Sequence, residues 1–219
     1  MNSDNEKQNQ ESPEREMAEW LPTLRDNLFV SSDGGACLDP LGLTSMGEKR
    51  SSIGRWQLYA DGFLQAADRL VHGCRGMPYE DALIYPILNL YRHHLELELK
   101  YLVRYCKGGE QFRDWLTKTH SLMELWNCMT QIYPRFGIWT SAESTEGCRR
   151  LLSEFDQHDR NSQSSRYPED KHGKQTLPAL DTVDLQILKL GVHKISHYLS
   201  AVVEQLAEDR DWEEEVNSW

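Results

Sequence analysis

Apolar and polar residues follow a helical period along most of this chain. From residue 52 onward, apolar side chains recur at steps of three and four, which places them on one face of an α-helix. This pattern predicts helices over residues 52–72, 80–106, 110–116, 121–132, 144–157 and 179–208. No segment shows the alternation of a half-buried strand with conviction, so we expect an all-α helical bundle of about five main helices with an N-terminal extension.

Three of these helices carry the clearest apolar patterns. The face predicted for the first helix consists of Trp56, Tyr59, Phe63, Ala66, Ala67 and Leu70. The face predicted for the last helix consists of Leu185, Leu188, Val192, Ile195, Leu199, Val202 and Leu206. The helix over 80–106 is the most apolar of all, so it should be central and buried on most of its surface. Pro86 near its start is tolerated in a first turn.

The chain divides into four parts by composition. Residues 1–16 are polar and acidic without periodicity, which predicts a disordered tail. Residues 17–50 form an extension in which 17–30 is weakly amphipathic and the rest, with four glycines and one proline over 31–47, reads as a loop. Residues 51–208 make up the helical domain, and residues 209–219 form a second acidic tail.

Charge and cysteine usage narrow the setting. The chain of 219 residues has a net charge of −11. Residues 1–30 contribute −4 and residues 204–219 contribute −6, so the body is nearly neutral and a nucleic-acid partner is not excluded. Five widely spaced cysteines without a C-x-x-C pair suit a reducing compartment. With no transmembrane run and no signal peptide, we expect a cytoplasmic protein without membrane contact.

The central helix carries a first group of polar residues: Arg92, His93, His94, Glu96 and Lys100. Arg92, Glu96 and Lys100 are four residues apart and share one stripe. These side chains must emerge at a surface, pair in the core or line a cleft, because unpaired burial is costly. Two interpretations stay open: a solvated ladder with a histidine satisfied in the core, or the polar wall of a binding cleft formed by Arg92, His93 and Glu96.

A second group lies in the long polar segment 158–178. Arg166 and His172 are six residues apart, next to Lys171 and Lys174. An arginine holds a phosphate by its fork geometry, and a histidine moves a proton near neutral pH. Together they could cleave a ribose phosphodiester without a metal, with the lysines contacting phosphates. The alternative is an ordinary solvated loop.

His193 and His197 have the i, i+4 spacing of a two-histidine metal face on the last helix. The glutamate that completes the zinc-protease signature is absent, and histidines at the boundary of a core are far commoner. The sequence therefore predicts neither a metal nor a cofactor.

Three pieces of the chain, in this order, resemble the HEPN (higher eukaryotes and prokaryotes nucleotide-binding) superfamily of small helical bundles. RHHLELELKYL (92–102) resembles its apolar helix with Glu and Lys four apart. HSLMELW (120–126) resembles its His-Asp-Leu opening of the next helix, with Ser121 in place of Asp. SRYPEDKHG (165–173) resembles its Arg-Tyr-Pro entry, and the likeness extends over about 80–207.

The resemblance implies a function. Many HEPN proteins are metal-independent endoribonucleases of toxin–antitoxin or phage-defence systems, with an Arg-x4–6-His motif assembled across a homodimer. Here Arg166 and His172 fit that spacing near the last helix, and Arg113 and His120 fit it elsewhere. Pro168 departs from the motif, which usually lies on a helix. The alternative implied by the resemblance is a non-catalytic module that binds a nucleotide or a cognate protein partner.

Overall fold

The computed structural model describes residues 52–76, 80–107, 113–177 and 182–217. Six α-helices occur in these ranges: α1 (Ser52–Gly73), α2 (Ile84–Lys107), α3 (Arg113–Lys118), α4 (Leu122–Thr130), α5 (Ala142–His158) and α6 (Leu185–Asn217). A 3₁₀ turn, Glu80–Leu83, precedes α2. The described part of the chain contains no strand, only an isolated bridge between Glu169 and Gln175. The prediction of an all-α bundle is therefore confirmed.

Helix α2 lies at the centre of the bundle and packs against α1, α4 and α6. Its residues Tyr91, Leu95, Leu99 and Leu102 are each at most 1% exposed. Burying one large apolar side chain stabilises a fold by about 1.5–3 kcal/mol, so this row supplies much of the driving force for assembly. Helix α5 completes the core by packing against α4 and α6. None of the described helices is long and apolar enough to cross a membrane.

Polar caps explain where three helices begin. The Ser121 hydroxyl accepts a hydrogen bond from the backbone N–H of Glu124 and so caps α4. The Ser141 hydroxyl caps α5 in the same way, by accepting from the N–H of Ser144. Asp184 accepts from two backbone N–H groups in the first turn of α6. These contacts satisfy N–H groups that have no partner inside the helix.

The structure corrects several details of the predicted elements. On α1, Tyr59 and Ala66 of the predicted face are exposed, whereas Ala60 and Val71 are buried beside Ala67. Helix α6 begins at Leu185 rather than 179, because the Asp184 cap starts it there, and it continues to Asn217. Pro86 is the third residue of α2, within its first turn as expected. The predicted tail 1–16 and extension 17–50 lie outside the described residues.

Candidate functional site

Glu96 on α2 is the centre of a buried ionic network. Its Oε2 accepts from Arg92 Nη1 at 2.8 Å, and its Oε1 accepts from Lys100 Nζ at 2.8 Å. Arg92, Glu96 and Lys100 are only 1%, 2% and 6% exposed. The predicted ladder therefore exists, but it is not the solvated ladder of the first interpretation, because all three residues are buried.

Two cations hold the Glu96 carboxylate in its charged form. Burial alone would raise its pKa, but the Lys100 hydrogen bond and the charges of Lys100 and Arg92 outweigh burial. The pKa of Glu96 consequently lies below its ordinary value. A carboxylate that stays ionised inside the bundle is a strong acceptor for any donor that reaches it.

His120 is that donor. Its Nδ1 lies 3.0 Å from Glu96 Oε1, and its side chain is 45% exposed. Because an ionised carboxylate only accepts, Nδ1 carries the hydrogen, so Nε2 is the nitrogen that accepts a proton whenever the ring is neutral. The described residues offer Nε2 no hydrogen-bond partner. The arrangement is a buried carboxylate orienting a half-exposed imidazole, which is suited to moving a proton.

Arg92 connects this pair to a second segment. Its Nη2 donates to the carbonyl of His120 at 2.6 Å and to that of Arg160 at 3.1 Å. Its Nε donates to the carbonyl of Asp159 at 2.6 Å. One buried guanidinium thus fixes both the residue that carries the imidazole and the start of the loop after α5.

The loop after α5, residues 159–167, is organised around the Asp159 carboxylate. Asp159 accepts from the backbone N–H groups of Gln163, Ser164 and Ser165 and from the Ser165 hydroxyl. Burial would raise the pKa of Asp159, but these hydrogen bonds and the Arg92 charge hold it below its ordinary value. Ser162 is buried with a φ of 56°, a left-handed conformation that costs a non-glycine residue energy. The loop is therefore tightly held.

Arg166 is presented at the end of this loop. Its side chain is anchored by Nε donating to the carbonyl of Ser162, and its guanidinium carbon lies 5.9 Å from the centre of the Tyr167 ring. Both Arg166 and Tyr167 are exposed. The contacts leave most of the guanidinium donors free for an anion.

His93 belongs to the same electrostatic neighbourhood. Its ring meets the Phe63 ring edge-on, with centroids 4.4 Å apart. Burial lowers the pKa of His93, and the charges of Lys100, Arg92 and Arg166 lower it further, against the opposing effect of Glu96. The network residues and Arg166 thus act on one histidine from two segments of the chain.

His172, the other member of the predicted catalytic pair, lies in an exposed turn with Lys171 and Lys174. Asp170 closes this turn by accepting from the N–H groups of His172 and Lys174 at 2.8 and 3.0 Å. The His172 imidazole makes no hydrogen bond or ion pair with a described residue. The structure therefore does not join His172 to Arg166 within one chain.

Two further histidines, His193 and His94, have structural partners. His193 Nε2 lies 2.9 Å from Asp68 Oδ2, which Lys189 also contacts at 3.1 Å. His94 is buried, with Nδ1 2.9 Å from the carbonyl of Ala60, so it is the core histidine that the sequence left open. Across residues 52–76, 80–107, 113–177 and 182–217, no three His, Cys, Asp or Glu residues are grouped to hold a metal.

His120 is the residue that sequence reasoning passed over. The sequence shows it only as the opening of the HSLMELW piece and by its spacing from Arg113, because its contact with Glu96 spans 24 residues of chain. No family model, curated protein or solved structure matches this chain. The geometry of the Glu96–His120 pair is therefore the observation on which a function can be argued.

Proposed function

We propose that this chain is a HEPN-like cytoplasmic protein that binds RNA and cleaves it without a metal. Many members of the HEPN superfamily, which the chain resembles, are endoribonucleases of this kind in toxin–antitoxin and phage-defence systems. The observation that carries the proposal is the hydrogen bond between the buried Glu96 carboxylate and Nδ1 of the half-exposed His120. In this proposal His120 takes the proton-transfer role first assigned to His172. Arg166 keeps its role as the phosphate-binding residue.

The chemistry follows from the tautomer that Glu96 imposes. Nε2 of His120 accepts the proton of a ribose 2′-hydroxyl while the 2′ oxygen attacks the adjacent phosphorus. Arg166 neutralises the charge that develops on the phosphorane oxygens, and Glu96 stabilises the imidazolium that forms. The bond from phosphorus to the 5′ oxygen then breaks, and the products are a 2′,3′-cyclic phosphate and a 5′-hydroxyl.

The leaving 5′ oxygen must receive a proton in the same reaction. We assign that proton to the His120 imidazolium of a second copy, so the active form is a homodimer. The imidazole that gained a proton and the one that lost a proton exchange them with water before the next turnover. The protons and electrons therefore balance without a metal or a redox partner.

The test is cleavage of a mixed RNA pool in excess EDTA. Wild type is compared with His120→Gln, His172→Gln and the control His197→Gln, which changes an exposed histidine on α6. We expect His120→Gln alone to lose at least about 100-fold in rate, the lower end of general acid–base contributions. Urea midpoints of all four proteins establish that each variant is folded, and end analysis identifies the cyclic phosphate.

The other outcomes separate the alternatives. Loss of cleavage in His172→Gln alone would return the catalytic role to the Arg166–His172 pair. Equal cleavage by every variant would indicate a contaminating nuclease or another site. No cleavage by wild type, together with salt-dependent RNA binding that Arg166→Gln weakens, would indicate a non-catalytic module.

That second function, binding of a nucleotide or protein partner without catalysis, is favoured by one observation. Within the described residues, His120 is the only exposed histidine that a buried carboxylate orients, and His93 has a lowered pKa. A single copy therefore presents one oriented histidine rather than an oriented pair, and one such histidine can bind an anionic ligand without cleaving it.

A further inference from the structure

A cavity of about 320 Å³ lies between α2, α5 and α6, and Arg92 but not Glu96 is among its lining residues. Its walls are largely apolar: Leu88, Leu151, Phe155, Leu188, Val192 and Ile195. This volume is at the lower end of the range of ligand pockets, roughly 300–1,000 Å³. An apolar cavity of about 150 Å³ accommodates benzene, so this one has room for a ring with a short chain.

The polar part of the cavity lining includes two carboxylates and a histidine. Glu154 and His158 lie one turn apart on α5, and Asp184 stands before the first turn of α6. The side chains of Glu154 and His158 have no hydrogen-bond partner among the described residues. By contrast, Arg92 and Asp159, which also line the cavity, are already engaged by carbonyls and by loop N–H groups.

We propose that this cavity binds a small apolar amine, such as an arylalkylamine, with its ring among the apolar walls and its ammonium group against Glu154. The exposed, unpaired carboxylate of Glu154 at the edge of an apolar cavity complements a cation attached to an apolar body. This inference is independent of the proposed ribonuclease activity.

Gly191 provides a selective way to close the cavity. It lines the cavity from α6, and an added Cβ would meet only the Cδ2 atom of Leu151, at 4.0 Å. Gly191→Leu should therefore place its side chain in the cavity without a backbone clash. Gly191→Ala is the matched control, since it gains helix propensity but leaves most of the volume open.

The experiment uses the full chain and three probes of one shape: 3-phenylpropylamine, 3-phenylpropanol and 3-phenylpropionate. Binding is measured by calorimetry and by the shift in melting temperature. We expect the amine to bind wild type and Gly191→Ala, to lose binding in Gly191→Leu, and to weaken about two- to fivefold in Glu154→Gln, as for a partly exposed ion pair.

Three results would overturn the proposal. The first is no binding of the amine to wild type at millimolar concentration. The second is an affinity for 3-phenylpropionate or 3-phenylpropanol equal to that for the amine, which would exclude selection of a cationic ligand by Glu154. The third is a wild-type dimer that Gly191→Leu converts to a monomer while no probe binds, which would assign the cavity to a second copy.

Discussion

Replacing Arg92 by methionine tests whether one buried guanidinium holds the site together. The change removes the charge that faces Glu96 and the donors that serve the carbonyls of His120, Asp159 and Arg160. Methionine keeps a long unbranched side chain, so the lost volume is small. The effect should therefore come from lost polar contacts rather than from a cavity.

The magnitude follows from burial. Breaking a buried ion pair by removing one partner costs about 3–5 kcal/mol, and Lys100 remains to neutralise Glu96 in part. Asp159 is 4% exposed, so its carbonyl also loses its donor away from water, at about 1–3 kcal/mol. We expect a total near 5 kcal/mol, against a stability of about 5–15 kcal/mol for a typical domain. At about 2–4 °C per kcal/mol, the melting temperature should fall by about 10–20 °C.

Urea unfolding followed by tryptophan fluorescence measures this loss, since Trp126 lies in the core. Arg149→Gln is the control, because Arg149 pairs with Glu146 on the surface and should leave the urea midpoint unchanged. In a double-mutant cycle, Arg92→Met with Glu96→Gln should cost less than the sum of the single changes, by about 1–3 kcal/mol. Additive costs, or a midpoint for Arg92→Met equal to that of the control, would refute the reasoning.

Three further outcomes are expected. Asp159→Ala should speed hydrogen exchange at the amides of residues 163–165 by at least about tenfold, since each loses its acceptor; unchanged protection would contradict the loop's dependence on this carboxylate. Because Glu96 has a lowered pKa in the fold, its contribution to stability is present above its unfolded pKa, about 4.3, and is lost as the pH falls through the folded value. In a plot of urea midpoint against pH, Glu96→Gln should therefore show a shallower fall at acidic pH than wild type. An equally steep fall in both proteins would contradict this role of Glu96. For His94, burial lowers the pKa, but the hydrogen bond and charge of Glu98 outweigh burial and raise it overall. The stability that His94 contributes is therefore present below about pH 6.5 and is lost as the pH rises through the folded pKa. His94→Gln should remove this loss of stability with rising pH, and a loss that persists in the variant would belong to another group.

The sequence predicted the helices well because their signal is local. The apolar period that places Tyr91, Leu95 and Leu99 on one face is visible within three turns, and all three are buried. The first helix shows the limit of that signal. Tyr59 fits the period, yet it is exposed, because the width of a buried face depends on what packs against it. The partners of α1, chiefly α2, are not encoded in its own pattern.

The candidate site was likewise predictable only where its residues lie on a single helix. Arg92, Glu96 and Lys100 were recognised as one stripe, because i, i+4 spacing is a property of a single helix. Their burial was not decided by the sequence, since a solvated ladder and a buried network have the same spacing. The contact between His120 and Glu96 joins two segments 24 residues apart, and no local rule selects His120 over His172.

The contacts of Arg92 with backbone carbonyls position the site, but they cannot be predicted from residue types. Its guanidinium reaches the carbonyls of His120, Asp159 and Arg160, and every residue type supplies a carbonyl. Composition and spacing therefore carry no information about these acceptors, whereas the fold determines them completely. It follows that substitutions at position 160 that keep the backbone should leave the Arg92 contact intact, and that the arginine itself is the position where a sequence change would disassemble the site.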